Sequence, residues 1–263
     1  MDGTPNQKRD PDGAGAGGRD DRERDFWGHH IPGLDACLTE YRAGPDPNTE
    51  AMLRAVEPVS GARILDFACG GGVTSAWLAA RGAEVVGVDL SLESLARAQE
   101  VHAGLGLQST FLPTLDEAAE LDPFDAVVGR YALHHTNVAE MAPLLAGCVR
   151  RGGRGAFVET FATNPLLHFA RTTLPGRLGV TKIGTEDEKP LGRDDLSALR
   201  SAFGDLDVTC AQMHFLRLLD RQVLRYRYPP ASSAAGWVDD QIGRIPGSAT
   251  FSYFQVVVVR KTR

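Results

Sequence analysis

Positive charge is in the minority in this 263-residue chain: 28 Lys and Arg face 34 Asp and Glu, for a formal net charge of -6. No basic stripe is visible, so a nucleic-acid partner has no electrostatic support, because holding phosphates requires clustered cations. Cysteine is scarce. Cys37, Cys69, Cys148 and Cys210 stand apart without C-x-x-C spacing, which removes a disulfide framework and points to a reduced, cytoplasmic setting. No apolar run approaches the length of a membrane helix or a signal-peptide core, which speaks against membrane association. No internal repeat appears. The histidine pairs His29–His30 and His134–His135 lack the i,i+4 spacing of a helical metal pair, so no metal is expected. Large apolar residues are almost missing from Met1 to Asp25, which reads as a disordered tail over residues 1–25.

What is present is organised around Arg63 to Leu90. The apolar residues Ile64, Leu65 and Phe67 meet Gly70, Gly71 and Gly72, after which a helical period begins. That pattern is a buried parallel strand turning sharply into a helix. Glycines there let a ligand approach the backbone, and the helix that follows offers free N–H groups to something polar or anionic. A second apolar strand, in the stretch Ala-Glu-Val-Val-Gly-Val-Asp-Leu from Ala83, ends in Asp89. A carboxylate at that strand end can accept two hydrogen bonds from a ribose diol. A dinucleotide and S-adenosylmethionine both suit this geometry. Ser75 occupies the third position of a G-x-G-x-x-G fingerprint, which weakens the dinucleotide.

Asp66, Ala68, Gly70 and Gly72 form D-x-A-x-G-x-G where class I S-adenosylmethionine-dependent methyltransferases carry D-x-G-x-G-x-G. From Arg63 to Thr136 the chain resembles that superfamily, in its small-molecule type. Ile64 to Gly72 resembles the first motif, Val85 to Asp89 the second, and Phe124 to His135 the fourth. The resemblance implies an α/β fold: a Rossmann-like, doubly wound, seven-stranded, mostly parallel sheet with an antiparallel last strand. It implies S-adenosylmethionine as cofactor, with Gly70 and Gly72 beneath it, Asp66 at its methionine end and Asp89 on its ribose. Ala68, Leu90 and Gly129 join this cofactor set. Where similar enzymes often have Gly-Asp-Ala to read adenine, this chain has Thr114-Leu115-Asp116. Leu115 and Asp116 are therefore adenine-side candidates, with backbone groups as the alternative.

Around this centre the chain divides into a helical N-terminal lid (residues 26–60) and the cofactor-binding domain (residues 61–263), with a cap insertion at about 163–192. Two short helices broken near Gly44, Pro45 and Pro47 would place Trp27 and His30 over the site as substrate-binding residues, or use Phe26 and Trp27 only as a staple. A helix is predicted at Ser91–Ala103, a strand at Ser109–Pro113 and a turn at 114–116. The next strand, Phe124–Arg130, delivers Tyr131, His134 and His135 to the ligand edge. A helix at Ala139–Val149, a turn at Arg150–Arg154 and a strand at Gly155–Glu159 follow. The cap carries Asn164 and His168 as candidate lining residues. Beyond it come a helix at Arg193–Phe203, a strand at Asp207–Phe215, helical pieces at Leu216–Tyr226 and Ala234–Ile242, and a last strand at Phe251–Val259.

Methyl transfer from a sulfonium needs no acid, because the leaving group departs neutral, so only the acceptor's proton needs a base. His134 is the candidate catalytic base by likeness to small-molecule O-methyltransferases, with capping or packing as its other role. His134 and His135 are not separable at this level. Glu159 is the second catalytic candidate, able to receive a proton, orient His134 or bind a cationic acceptor, with a solvated strand end as its other reading. The expected function is methylation of an O or N atom of a small-molecule acceptor in specialised metabolism. The rivals are a non-catalytic S-adenosylmethionine-binding regulatory module and, behind it, a dinucleotide-dependent oxidoreductase. Oligomeric state is not legible.

Overall fold

A computed structural model describes residues 31–161, 163–164 and 189–262. Seven strands form one sheet: β1 Arg63–Phe67, β2 Glu84–Val88, β3 Thr110–Leu112, β4 Phe124–Arg130, β5 Val149–Thr160, β6 Gly204–Thr209 and β7 Phe254–Lys261. Their order across the sheet is β3-β2-β1-β4-β5-β7-β6. Neighbours among β1 to β5 run parallel, and β7 opposes both β5 and β6. The expected mixed, doubly wound sheet is therefore what the chain forms. Its strand order reverses between β1 and β4, and the crevice outside the carboxyl ends of these two strands is where such sheets bind ligands.

Alternation along each strand builds a core on either face. Leu65, Phe67, Val86, Val88, Val127 and Phe157 pack on one side against α5 (Leu115–Ala119), α6 (Val138–Cys148) and α7 (Arg193–Phe203). Ile64, Val85, Ala126, Val128, Ala156 and Val158 pack on the other side. Their partners there are α1 (Leu34–Ala43), α2 (Pro47–Ala55), α3 (Val73–Ala79) and α4 (Leu92–Leu105). Strands buried on both faces have to be apolar almost throughout, which is why the sequence marks them so clearly. The helices start on local signals. Asp46 accepts from the Asn48 and Thr49 N–H groups ahead of Pro47, and Ser91 accepts from Ser94 N–H.

Several boundaries differ from the sequence-based ones. Thr114 caps a helix through Glu117 N–H, so Leu115 and Asp116 open α5 instead of lying in a turn. The glycine-rich stretch Arg150–Arg154 is an excursion inside β5, where pairing passes from Phe124↔Val149 to Ala126↔Arg154. β6 begins at Gly204, whose φ of +110° stops α7, and ends at Thr209, well short of Phe215. The cause of that ending is Asn48. Its buried side chain accepts from Ala211 and Gln212 N–H at 2.9 and 3.0 Å and donates to the Gln212 carbonyl at 3.1 Å, drawing the chain off the sheet toward α2. The piece predicted as helix at 216–226 is α8 (Leu216–Leu219), then a π-helical turn (Asp220–Leu224), then two left-handed residues, Arg225 and Tyr226. α9 (Pro229–Gly243) and a short turn at Ser248–Phe251 lead into β7.

Asn48→Ala removes three hydrogen bonds and leaves backbone groups unpaired, at a cost of about 2 kcal/mol. For a domain of this size that lowers the melting temperature by roughly 4–8 °C. Calorimetry of the variant is the check, and an unchanged transition would mean that Asn48 does not hold the segment after β6.

Candidate functional site

The turn after β1 is built from alternating left-handed residues: Ala68 (φ +54°), Gly70 (φ +51°) and Gly72 (φ +75°). A side chain at Gly72 would strike Ala98 of α4 at 2.7 Å, so glycine there is a packing requirement. A side chain at Gly70 would meet nothing within 4 Å, which leaves open space above the carboxyl edge. Ala68 adopts with a Cβ what its family pattern assigns to glycine, at a cost of about 1–2 kcal/mol. His102 braces the turn, its Nε2–H donating to the Gly72 carbonyl at 3.2 Å. On the flank, α1 closes against the same turn. A Cβ at Gly71 would lie 2.9 Å from Cys37 Sγ, and Arg130 at the end of β4 joins Glu40 at 2.6 Å while its guanidinium stands over the Trp77 ring.

Asp89 closes the cradle. One carboxylate oxygen accepts from Gly70 N–H at 2.8 Å and the other from Ser91 N–H at 3.0 Å. The Ser94 side chain bonds the same carboxylate, and with three donors on about four acceptor sites it keeps capacity for a further donor such as a ligand hydroxyl. Burial pushes its carboxyl upward, against the lowering effect of those bonds. Leu90 beside it is 38% exposed, an apolar surface at the ligand edge. Asp66 lies deeper, 1% exposed, with Ser75 Oγ–H donating to it at 2.6 Å, and burial raises its carboxyl to about 7. Ser75, in the place of a third fingerprint glycine, thus has a side chain in use. Gly129 is buried, and a Cβ there would meet the Phe157 ring at 2.9 Å, so packing accounts for that glycine. Asp116 is exposed in the first turn of α5 and Leu115 is half-buried.

Beyond β4, Tyr131 holds a left-handed φ of +59°, rare for a bulky residue and typical of strained functional loops. Burial, then the Asp46 carboxylate, push its phenol up to about 12. Glu159, at the end of β5 and fully buried, organises the loop that follows Tyr131. It accepts from Ala132 N–H at 2.9 Å, Leu133 N–H at 2.7 Å and His134 Nδ1 at 2.7 Å. The three bonds take most of its acceptor capacity, two on one oxygen and one on the other. They also place the ring proton of His134 on Nδ1, which makes Nε2 the basic nitrogen of the neutral ring. His135 stacks on His134 with ring centroids 4.1 Å apart. Asn164 is buried and donates to the Phe251 carbonyl at 2.9 Å. Trp27, His30 and His168, the 1–25 tail and most of the cap lie outside the described residues. Among the described residues no three metal-ligating side chains converge.

A cavity of about 320 Å³ lies between the chain leaving β6 and the start of β7. His214, Asp220 and Phe254 line it, and none of them was singled out by the sequence reading. Phe254 connects it to the rest of the site, edge-on to Tyr131 at 5.3 Å and to His214 at 5.2 Å. Burial lowers the His214 ring's affinity for a proton, and its Nδ1 bonds the Gln212 carbonyl at 2.9 Å. A signal existed: Asp220 falls four residues after Leu216, on the apolar side of a helical stretch, where an acid is out of place.

The Asp66 geometry generates a pH prediction. Its carboxyl titrates near 7 when folded and near 3.8 in its ordinary state, so between those values the folded chain holds a proton that the unfolded chain has lost. Stability of the ligand-free protein therefore falls as pH rises from about 4 to about 7, and this contribution is flat above. Asp66→Asn removes that slope. Denaturant titrations of both proteins across this range test it, and identical pH dependences would contradict it.

Residues 64–153 match a family model described as a methyltransferase domain. Over 109 residues, 40% of this chain and 45% of the relative, the sequence is 38% identical to a ubiquinone biosynthesis O-methyltransferase of Aeromonas salmonicida. The chain spans about half the length of the curated relatives it matches. Among solved structures, magnesium protoporphyrin IX methyltransferase from Synechocystis PCC 6803 with bound SAH superposes with a TM-score of 0.52 at 18% identity, covering 92% of this chain and 99% of that one. A [4+2]-cyclase superposes equally well, at 0.52 and 17% identity, over 81% of this chain and 79% of that one. Likeness at such identities establishes the architecture alone. Motifs, cradle and family match converge on a methyltransferase domain over residues 64–153, and the sheet has the architecture of the class I, S-adenosylmethionine-dependent methyltransferase fold.

Proposed function

We propose that the chain transfers a methyl group from S-adenosylmethionine to an oxygen or nitrogen atom of a small-molecule acceptor in specialised metabolism. The observation that carries this reading is the cradle itself: Asp89 poised with spare acceptor capacity beside open space at Gly70. The residues present fit the cofactor. Asp89 takes the ribose hydroxyls, Leu90 offers an apolar surface to the base, with Leu115 and Asp116 further along the same edge, and Asp66 lies toward the methionine end. Bound there, S-adenosylmethionine supplies a methyl group on a sulfonium, an electrophile whose leaving thioether departs uncharged. The protein's part is positioning, water exclusion and removal of the acceptor's proton. His134 Nε2 takes that proton, and Glu159 acts as a positioning residue that fixes the ring and its tautomer. Tyr131 and His135 stand on the acceptor side, with Trp27, His30, Asn164 and His168 as contributors from the lid and cap.

Oxygen is favoured over nitrogen because the curated relatives are named O-methyltransferases and because a hydroxyl needs the base that the His134–Glu159 pair would provide. The four cysteines are free thiols, which suits a cytoplasmic protein. No described helix is long and apolar enough to cross a membrane, and the acidic balance of charge speaks against a nucleic-acid substrate.

Release of demethylated cofactor from the purified chain, assayed over a panel of hydroxyl and amine acceptors, tests the reading; no release with any acceptor would contradict it. Asp89→Ala removes a charged acceptor of two ligand bonds and weakens cofactor binding about ten- to a hundredfold. His134→Ala lowers turnover by about a hundredfold or more with little change in cofactor affinity. Equal losses in both quantities would make His134 a packing residue.

A further inference from the structure

We infer that the cavity between the chain leaving β6 and the start of β7 is the acceptor pocket and that Asp220 receives a hydroxyl of an uncharged, hydroxylated acceptor. This rests on the methyltransferase reading and names the substrate class of that same site. Asp220 is 3% exposed and its Oδ1 is buried without a hydrogen-bond partner among the described residues. Buried polar atoms are normally paired, and an orphaned carboxylate oxygen at a cavity wall marks a place kept for a ligand's donor. The neighbouring cation does not fill the role. Arg217 is committed to both oxygens of Asp240 at 3.0 Å and to the Met213 carbonyl at 3.1 Å.

A second acceptor faces the same cavity. His214 uses Nδ1 on the Gln212 carbonyl, which leaves Nε2 as the basic nitrogen of its neutral ring. Two acceptors on one wall call for a ligand that presents donors. Charge then separates hydroxyl from ammonium. Arg221 offsets the single lining carboxylate Asp220, and Arg217 is held by Asp239 and Asp240, so the lining gives a cationic ligand no net attraction while a neutral hydroxyl still finds its acceptor. The volume and the edge-on rings of Phe254 and His214 suit a flat molecule of one or two rings. The backbone keeps Asp220 inward. It opens a π-helical turn, a form that recurs at functional sites, and the left-handed Arg225 closes that turn by donating its N–H to the Asp220 carbonyl at 2.7 Å. Phe254 beside Tyr131 joins the cavity to the edge where the methyl group is delivered.

The test uses the full chain saturated with S-adenosylhomocysteine and three probes: resorcinol, its dimethyl ether and benzylamine, with affinities read by ligand-observed NMR. Resorcinol binds the unaltered protein, the dimethyl ether does not, and benzylamine binds more weakly than resorcinol. Asp220→Leu weakens resorcinol at least tenfold, and Asp220→Asn, which keeps an acceptor oxygen without the charge, weakens it less. In the ligand-free state both variants melt at or above the temperature of the unaltered protein, because an unpartnered buried carboxylate has been removed. Resorcinol affinity unchanged in Asp220→Leu, no binding of resorcinol to the unaltered chain, benzylamine preferred over resorcinol, or lower melting temperatures for both variants would each overturn the assignment. Titration with S-adenosylhomocysteine alone separates the two claims. Its failure to bind removes the methyltransferase reading, whereas its binding with any of the contrary probe results removes only the role of Asp220.

Discussion

The hydrogen bond from Gly70 N–H to the Asp89 carboxylate is the constraint on which the site depends. It ties the turn after β1, left-handed at positions 68, 70 and 72, to the end of β2, while Ala98 leaves no room for a side chain at Gly72. With the turn held, α3 starts directly beneath the open edge and Asp89 stays oriented toward it. The half-buried carboxylate is met by two backbone donors, one on each oxygen, and by the Ser94 side chain. The same economy recurs at Glu159, where three donors from a single loop hold one buried acid.

These two acids divide the carboxyl edge into unlike halves. The half around β1 and β2 is a short glycine-rich turn held by local bonds, its left-handed positions falling mostly on glycine. The half around the ends of β4, β6 and β7 is irregular. Tyr131 is left-handed, the segment after β6 leaves the sheet early, and Asp220 opens a π-helical turn followed by two more left-handed residues. That irregular half is the one proposed above to recognise the acceptor, and loops on a rigid scaffold commonly carry specificity.

The cofactor half was legible in the sequence because its physics is local. Glycines, the Asp66 and Asp89 carboxylates and apolar strands are read in a contiguous stretch, and each has one dominant reason to be there. The acceptor half depends on contacts between distant residues. Asn48 ends β6 by binding Ala211 and Gln212, more than 160 positions away, and no periodicity within 207–215 reveals that. Gly129 read as a cofactor residue, yet the neighbouring Phe157 ring on β5 accounts for it. Asp220 carried a faint signal, an acid on an apolar helical face, whose meaning requires knowing that its Oδ1 meets no donor among the described residues.

The account stands or falls on what the cradle binds. Calorimetric titration of the purified chain with S-adenosylmethionine and, separately, with NADH addresses this directly. The account predicts saturable one-to-one binding of S-adenosylmethionine and none of NADH. Binding of NADH alone would contradict it and assign the Asp89 cradle to a dinucleotide.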